Sequence, residues 1–361
     1  MIKSSNATIC TMRLQSLMER GRAFLGVRYP LLGGGMAWVS EHHLVSAISN
    51  AGGLGILASG SMRPEHLQAE IDKTYAMTQS PFGVNIIVMN PEVNALIDVC
   101  LQKSVSHIIL AGGMPSADLI QRAKQNHAKV FCFAPSLALA KRLIRSGADA
   151  LILEGMEAGG HIGPTSTTVL VQEILPHIED CPIFVAGGIG RGEMILAYLE
   201  MGAAGCQLGT AFVCCEESQA HPAFKTAFLR AQARDAVASV QIDARFPVTP
   251  VRSLQNAAVR TFHALQREAS EAFDKGGITI RDAQMKMEHF WAGALRRAVM
   301  EGDVENGSVM AGQSVGLVGK EQSTAALIEE LVDQAFQALI KRETRLGAFV
   351  PYKRKNIARI C

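Results

Sequence analysis

His161 is the sharpest candidate for chemistry in this chain. It lies in the run EGMEAGGHIG, with Gly160 before it and Gly163 two residues after. Small neighbours leave an imidazole room to face a ligand, and a group that titrates near neutrality suits the donation or abstraction of a proton. A histidine that merely braces its loop is the alternative. Four Gly-Gly pairs, Gly34-Gly35, Gly112-Gly113, Gly159-Gly160 and Gly187-Gly188, fall at or just beyond short apolar runs. Glycine there permits positive φ and lets main-chain N–H groups approach a bound group closely. The runs Ala186-Gly187-Gly188-Ile189-Gly190 and Gln207-Leu208-Gly209-Thr210 suit a phosphate dianion held by backbone donors and a helix N-terminus. Tight turns that bind nothing are the other reading of the same residues.

Two literal motifs carry less. Gly53–Ala58 matches GxGxxA but lies inside an apolar run rather than at a strand-to-helix turn, so it reads as structural. Gly312–Gly316 matches GxSxG around Ser314, yet a hydrolase of that type needs Asp and His after the serine, and the last histidine is His289. No histidines show HxxxH spacing and no CxxC occurs, so no metal centre is expected.

These residues need a frame. Eight short apolar runs recur along the first part of the chain: 29–36, 52–59, 82–89, 107–113, 129–135, 150–155, 182–188 and 205–210. They are apolar throughout rather than alternating, the mark of parallel strands buried on both faces. Helical segments with a terminal glycine separate them, among them SEHHLVSAISNAG and GEMILAYLEMGA. The expected fold is therefore α/β, a (β/α)8 TIM barrel, with an open doubly wound sheet as the alternative. In a barrel the glycine pairs collect at the carboxyl rim, where such folds build their sites. From residue 214 to 345 the pattern is almost wholly helical, which predicts the last barrel helix and a C-terminal helical cap subdomain over the mouth. The expected division is an N-terminal helical extension over 1–26, the barrel over 27–222, the cap over 223–335, and a C-terminal helix with a basic tail over 336–361.

Composition narrows the class. Of 361 residues 48% are apolar and 19% charged, with a formal net charge of +2. That balance excludes disorder and a nucleic-acid-coating surface. No run reaches the ~18 apolar residues of a membrane span. Eight dilute cysteines, including the adjacent Cys214-Cys215, point to a reducing compartment, and a cytoplasmic location is expected. The first 26 residues are broken by Arg13, Glu19, Arg20 and Arg22, so they read as a helix on the body of the fold. A transit peptide is the alternative, with Glu19 against it.

The segments YPLLGGGMAWVSEHHLVSAISNAGGLGI, PFGVNI, GADALILEGMEAGGHIG, AGGIG, QLGTAFV and GDVENGSVMAGQSVGLV together resemble the flavin-dependent enoyl-[acyl-carrier-protein] reductase II family, within the nitronate monooxygenase (2-nitropropane dioxygenase) superfamily. The resemblance spans residue 27 to about 335. It implies FMN as cofactor, NADH or NADPH as co-substrate, and reduction of a trans-2-enoyl thioester on acyl carrier protein, with a homodimer allowed. The alternative is oxidation of alkyl nitronates by O2. By the same resemblance Gly34, Gly35 and Met36 line one side of the isoalloxazine, and Asn85 and Gln207 bond the ring edge or ribityl chain. Glu154, Gly159 and Gly160 lie beside it, and Ala186, Gly187, Gly188, Gly209 and Thr210 hold the phosphate. Met310, Ala311 and Gln313 close the site from the cap, and His161 supplies the proton. Two departures stand out: LAGGMPS after the fourth run, and HIGPTST where HIGKLTT is expected. Nitronate monooxygenases carry cap tyrosines, whereas Tyr29, Tyr75, Tyr198 and Tyr352 all lie outside the expected cap.

Overall fold

A computed structural model describes residues 2–246 and 249–348. Eight parallel strands build the body: β1 (Leu31–Gly33), β2 (Gly55–Ala58), β3 (Phe82–Ile87), β4 (His107–Ala111), β5 (Lys129–Phe133), β6 (Ala150–Glu154), β8 (Ile183–Ala186) and β9 (Gly205–Leu208). All eight fall within the apolar runs. Their order is β1-β9-β8-β6-β5-β4-β3-β2. The ring closes where Gly33 N–H donates to Leu54 O at 2.9 Å and Leu54 N–H to Leu31 O at 2.8 Å. The architecture is thus a closed (β/α)8 barrel, not an open sheet.

The strands read as continuous apolar runs because each has two buried faces. Outward residues such as Val84, Ile86 and Val185 pack under the helices. Inward residues, among them Leu32, Ile56, Ile109, Phe131, Ile152 and Phe184, fill the lumen. The expected N-terminal helix forms over Ile2–Leu25. Cys10, Leu14 and Met18 bury on the outer core, and the helix end turns under the barrel. There the Phe24 ring lies 5.5 Å from Phe131 and 6.2 Å from Phe184, sealing the floor with carbon.

A buried histidine shares that floor, as does the Lys129 ammonium, 4.8 Å from the Phe24 ring centre. His107 is 2% exposed, its Nδ1 is 2.8 Å from Ser106 Oγ, and its Nε2 has no partner among the described residues. Burial, helped by the Lys129 charge, pushes its pKa from 6.5 down to about 3. The unfolded chain gains a proton near 6.5 that the folded chain refuses, so stability is intact above 6.5 and drains away as pH falls toward about 3. The slope for one such group is about 1.4 kcal/mol per pH unit. The urea midpoint should be lower at pH 5 than at pH 7, and His107→Gln should remove much of that difference. Equal pH dependence in the two proteins would assign the loss to other groups.

After β9 the chain leaves the barrel and returns at a stitched neck. Cys215 bridges Gln322 and Glu216 N–H donates to Gln322 O at 3.0 Å. The Glu217 carboxylate accepts Thr324 N–H at 2.9 Å and Thr324 Oγ1 at 2.8 Å. Helix Thr324–Ala348 then packs on helix Gly192–Glu200 so closely that a Cβ on Gly192 would stand 1.9 Å from Leu331 O. It completes the ring of barrel helices. The boundary expected at 335/336 falls inside this one helix, because its apolar stripe runs through that point unbroken. The expected tail beyond residue 348 lies outside the described residues.

The excursion holds helices Ala257–Asp274 and Ile280–Arg296 around Phe246, Phe262, Met287 and Trp291. It is not wholly helical as expected. Strands β10 (Ala236–Ala238) and β11 (Val251–Leu254) pair antiparallel, and the third strand of their sheet is β7 (Gly160–His161), from the barrel's own loop. These strands are too short and too polar at their edges to stand out in the chain.

Candidate active site

Strand alternation decides what faces the mouth. In β6 the inward set is Ala150, Ile152 and then Glu154; β8 contributes Ala186 and β9 contributes Gln207, in one register row. β3 adds Asn85, opposite Ala58. The top of the lumen is therefore small or polar where the layers below are large and apolar. The side chains of Asn85, Glu154 and Gln207 have no hydrogen-bond partner among the described residues. Burial pushes the Glu154 pKa up to about 8, so at neutral pH its carboxyl is largely protonated and offers both a donor and an acceptor.

The glycine loops ring this floor. Gly187 and Gly188 hold consecutive positive φ of 97° and 71°, and a substituent at Gly187 would meet Gly155 O and Thr167 Oγ1 at 3.0 Å. No acceptor among the described residues takes the main-chain N–H groups of Gly187, Gly188, Gly209 or Thr210. Successive unpaired amides of this kind form a concavity for an anion. On the opposite rim the Gly34–Met36 turn is locked by Ser40, whose Oγ donates to Gly34 O at 2.7 Å and accepts Met36 N–H at 3.0 Å. A Cβ on Gly35 would stand 2.7 Å from Asn85 Cβ, and Met36 Sδ lies 3.4 Å from where Gly209 would carry one. Trp38 follows at φ +68°, left-handed for a bulky residue, with the Arg296 guanidinium of the cap 5.8 Å from its ring centre.

His161 sits exposed on β7, paired with Val251 of the cap. Segment 309–313 closes over the same loop: Gln313 N–H donates to Glu157 O at 2.9 Å and Gly312 N–H to Thr210 Oγ1 at 3.0 Å. Gly159 admits this approach, since a Cβ there would meet Gly312 N at 2.6 Å. The structure thus brings the expected residues from the β1, β3, β6, β8 and β9 ends and from the cap to one rim. Ser314, of the GxSxG run, is buried in a helical turn, 6% exposed. Two cavities of about 250 and 400 Å³ open elsewhere on the surface, and neither touches the glycine loops.

Sequence reasoning passed over three groups. Ser40 is one. Glu157 is another: its carboxylate caps helix Thr167–Ile174, accepting Thr167 N–H at 2.8 Å and Oγ1 at 2.7 Å. The third is Arg252, whose guanidinium bonds Met156 O and Ala236 O. Glu41, His42 and His43 cluster closely enough to suggest a metal. Their carboxylate oxygens are already taken. Glu41 accepts His43 N–H and Leu44 N–H at 3.1 and 3.2 Å, and neighbouring Glu70 accepts Lys73 Nζ and His42 Nδ1 at 2.9 and 2.8 Å. At the positive end of helix His42–Asn50 this is a cap.

Comparison with known proteins places the chain in a lineage. A dehydrogenase of Rhodococcus jostii, named for (3aS,4S,5R,7aS)-5-hydroxy-7a-methyl-1-oxo-octahydro-1H-indene-4-carboxyl-CoA, is 32% identical, covering 90% of this chain and 96% of its own. A probable nitronate monooxygenase of Staphylococcus saprophyticus is 28% identical over 88% of this chain and 98% of its own. Among solved structures, FabK from Thermotoga maritima superposes with a TM-score of 0.80 at 36% identity, covering 91% of this chain and 99% of that one. A nitroalkane oxidase from Streptomyces ansochromogenes gives 0.74 at 26% identity, covering 90% and 99%. The nitronate monooxygenase family model matches residues 19–98 and 93–334, and the chain belongs to that family of oxidoreductases.

Proposed function

We propose that this chain is an FMN-dependent reductase that uses NADH or NADPH to saturate the double bond of a trans-2-enoyl thioester. The observation that carries the reading is the pairing, on one rim, of unpaired amides fit for a phosphate with a flat floor of unpartnered polar groups fit for a heterocycle. In this reading Ala186, Gly187, Gly188, Gly209 and Thr210 hold the FMN phosphate. Asn85 and Gln207 bond the ring edge or ribityl chain, with Glu154, Gly159 and Gly160 beside it. Gly34, Gly35 and Met36 line one side, and Met310, Ala311 and Gln313 close the site from the cap.

Bound there, FMN supplies hydride transfer from the nicotinamide to the β-carbon of the thioester. His161 delivers the proton to the α-carbon, directly or through a water it orients. Donors around the thioester oxygen stabilise the charge that develops on it. Segment 309–313 keeps bulk water from that exchange. Met36, Trp38 and Met310 offer an adaptable apolar wall for the acyl chain. The basic cap residues that could steer an acidic carrier protein are already engaged: Arg260 bonds Glu305 at 3.1 Å, Arg296 pairs with Glu301, and Arg297 donates to Asn306 O at 3.3 Å. That favours the thioester itself as the recognised element.

Tyrosine placement supports this reading over nitronate oxidation. Tyr198 is buried under a barrel helix, Tyr75 bonds Lys103 O on an outer helix, and Tyr29 precedes β1 on the floor side. None of the three reaches the mouth, and Tyr352 lies outside the described residues. The test is to purify the protein, record flavin absorbance, and assay crotonyl-CoA reduction by NADH and NADPH without oxygen beside oxygen uptake with a nitronate. Yellow protein with anaerobic crotonyl turnover is expected. Colourless protein that takes up no FMN, or turnover with nitronate alone, would overturn the reading.

A further inference from the structure

We propose that Arg252 is a positioning residue that pins the His161 loop to the cap, so that the proton donor is in place only when the cap is docked. This rests on the reading of His161 above. The base of the loop from Gly155 to Ser166 is tied by Met156 N–H to Thr165 O at 2.8 Å and by Glu157 to Thr167, but its tip is ordered from outside: β7 is two residues long and exists only as the third strand of the cap sheet. Its register sets Val251 opposite His161 and Arg252 opposite Gly160, and Ile162 N–H donates to Pro250 O at 2.9 Å. Arg252 reaches across this pairing. Its Nε donates to Met156 O at 2.9 Å and its Nη1 to Ala236 O at 2.6 Å, tying the start of the catalytic loop to β10.

The residue type makes the case. Arg252 is 4% exposed and no carboxylate among the described residues ion-pairs it. The Glu157 carboxylate of the same loop acts on it through space without pairing directly, so burying the cation is only partly offset, and an apolar side chain of similar length would avoid that cost. What only a guanidinium provides is a planar fork of donors able to meet carbonyls on two different elements at once. Burial holds its pKa below the ordinary arginine value, with the Glu157 charge acting in the opposite sense; its direct hydrogen-bond partners are carbonyls.

The test uses the whole chain loaded with FMN, comparing wild type with Arg252→Met and Arg252→Lys. Hydrogen exchange, read by mass spectrometry, should speed up about tenfold or more across residues 156–162 in Arg252→Met and stay unchanged in the barrel strands. FMN retention and anaerobic bleaching of the flavin by NADH should match wild type within about twofold, while reoxidation by crotonyl-CoA slows roughly 10–100-fold through misplacement. Arg252→Lys, which keeps the charge but reaches one carbonyl, should lie between and also serves if the Met variant folds poorly. Unchanged exchange over 156–162, or equal slowing of both half-reactions, would overturn the proposal. If wild type itself binds no FMN, the functional reading fails, whereas the exchange comparison still decides whether Arg252 pins the loop.

Discussion

His161→Ala should lose roughly 10²–10⁴-fold in crotonyl-CoA turnover, the range for removing a positioned proton donor, while keeping its flavin. The second half follows from where the groups stand. The proposed cradle draws on main-chain amides at Gly187, Gly188, Gly209 and Thr210 and on side chains at the ends of β3, β6 and β9, elements other than the β7 strand that carries His161. His161 is held in turn by backbone pairing to Val251, which alanine preserves. Reduction of the flavin by NADH should thus proceed at the wild-type rate, and the deficit should appear when thioester is added. Loss of flavin from the variant, with normal turnover once FMN is restored, would make His161 a brace for the cofactor and not a proton donor.

Phe131→Ala should destabilise the barrel by about 3–5 kcal/mol, as expected for removing a large aromatic side chain from a packed interior. Phe131 is fully buried, 5.6 Å from Phe184, 5.5 Å from Phe24 and 6.0 Å from His107 between ring centres. Its removal opens a void bounded by three strands and by the end of the first helix, none of which can collapse without breaking ring closure. Chemical unfolding should show a lower midpoint with a similar slope. Limited proteolysis should cut the Ile2–Leu25 helix sooner, because Phe24 loses one of its two ring partners. A shift under 1 kcal/mol would mean that the floor repacks freely.

The barrel was legible because one physical fact, burial on both strand faces, leaves an unbroken apolar signature of fixed length. Runs such as KVFCFAP and PIFVAGG admit little else. The rim was legible for a related reason: glycine pairs after such strands are conspicuous, and Gly187 and Gly188 do take left-handed conformations. The polar floor was half legible. Asn85, Glu154 and Gln207 were named through family resemblance, whereas their inward direction follows from alternation along β3, β6 and β9. What stayed hidden is non-local. β7 is a strand only because residues 251–252, some ninety positions later, pair with it. Arg252 in VRSL reads as an ordinary surface charge, and Glu157 gives no sign that it caps a helix ten residues on. No periodicity within a short window encodes contacts of that span.

The neck at Cys215 and Gln322 carries a consequence for how such chains diversify. Because the outgoing and returning segments are stitched side by side, the stretch between them enters and leaves the final turn of the scaffold at one point, although Phe224, Phe228 and Val315 within it pack into the main core. Swapping residues 216–321 for the matching piece of a relative should exchange acyl preference while the scaffold keeps its fold. The graft carries obligations: the incoming piece must bring an edge strand for the histidine loop to join, and a segment able to bond Glu157 O and Thr210 Oγ1 at the rim.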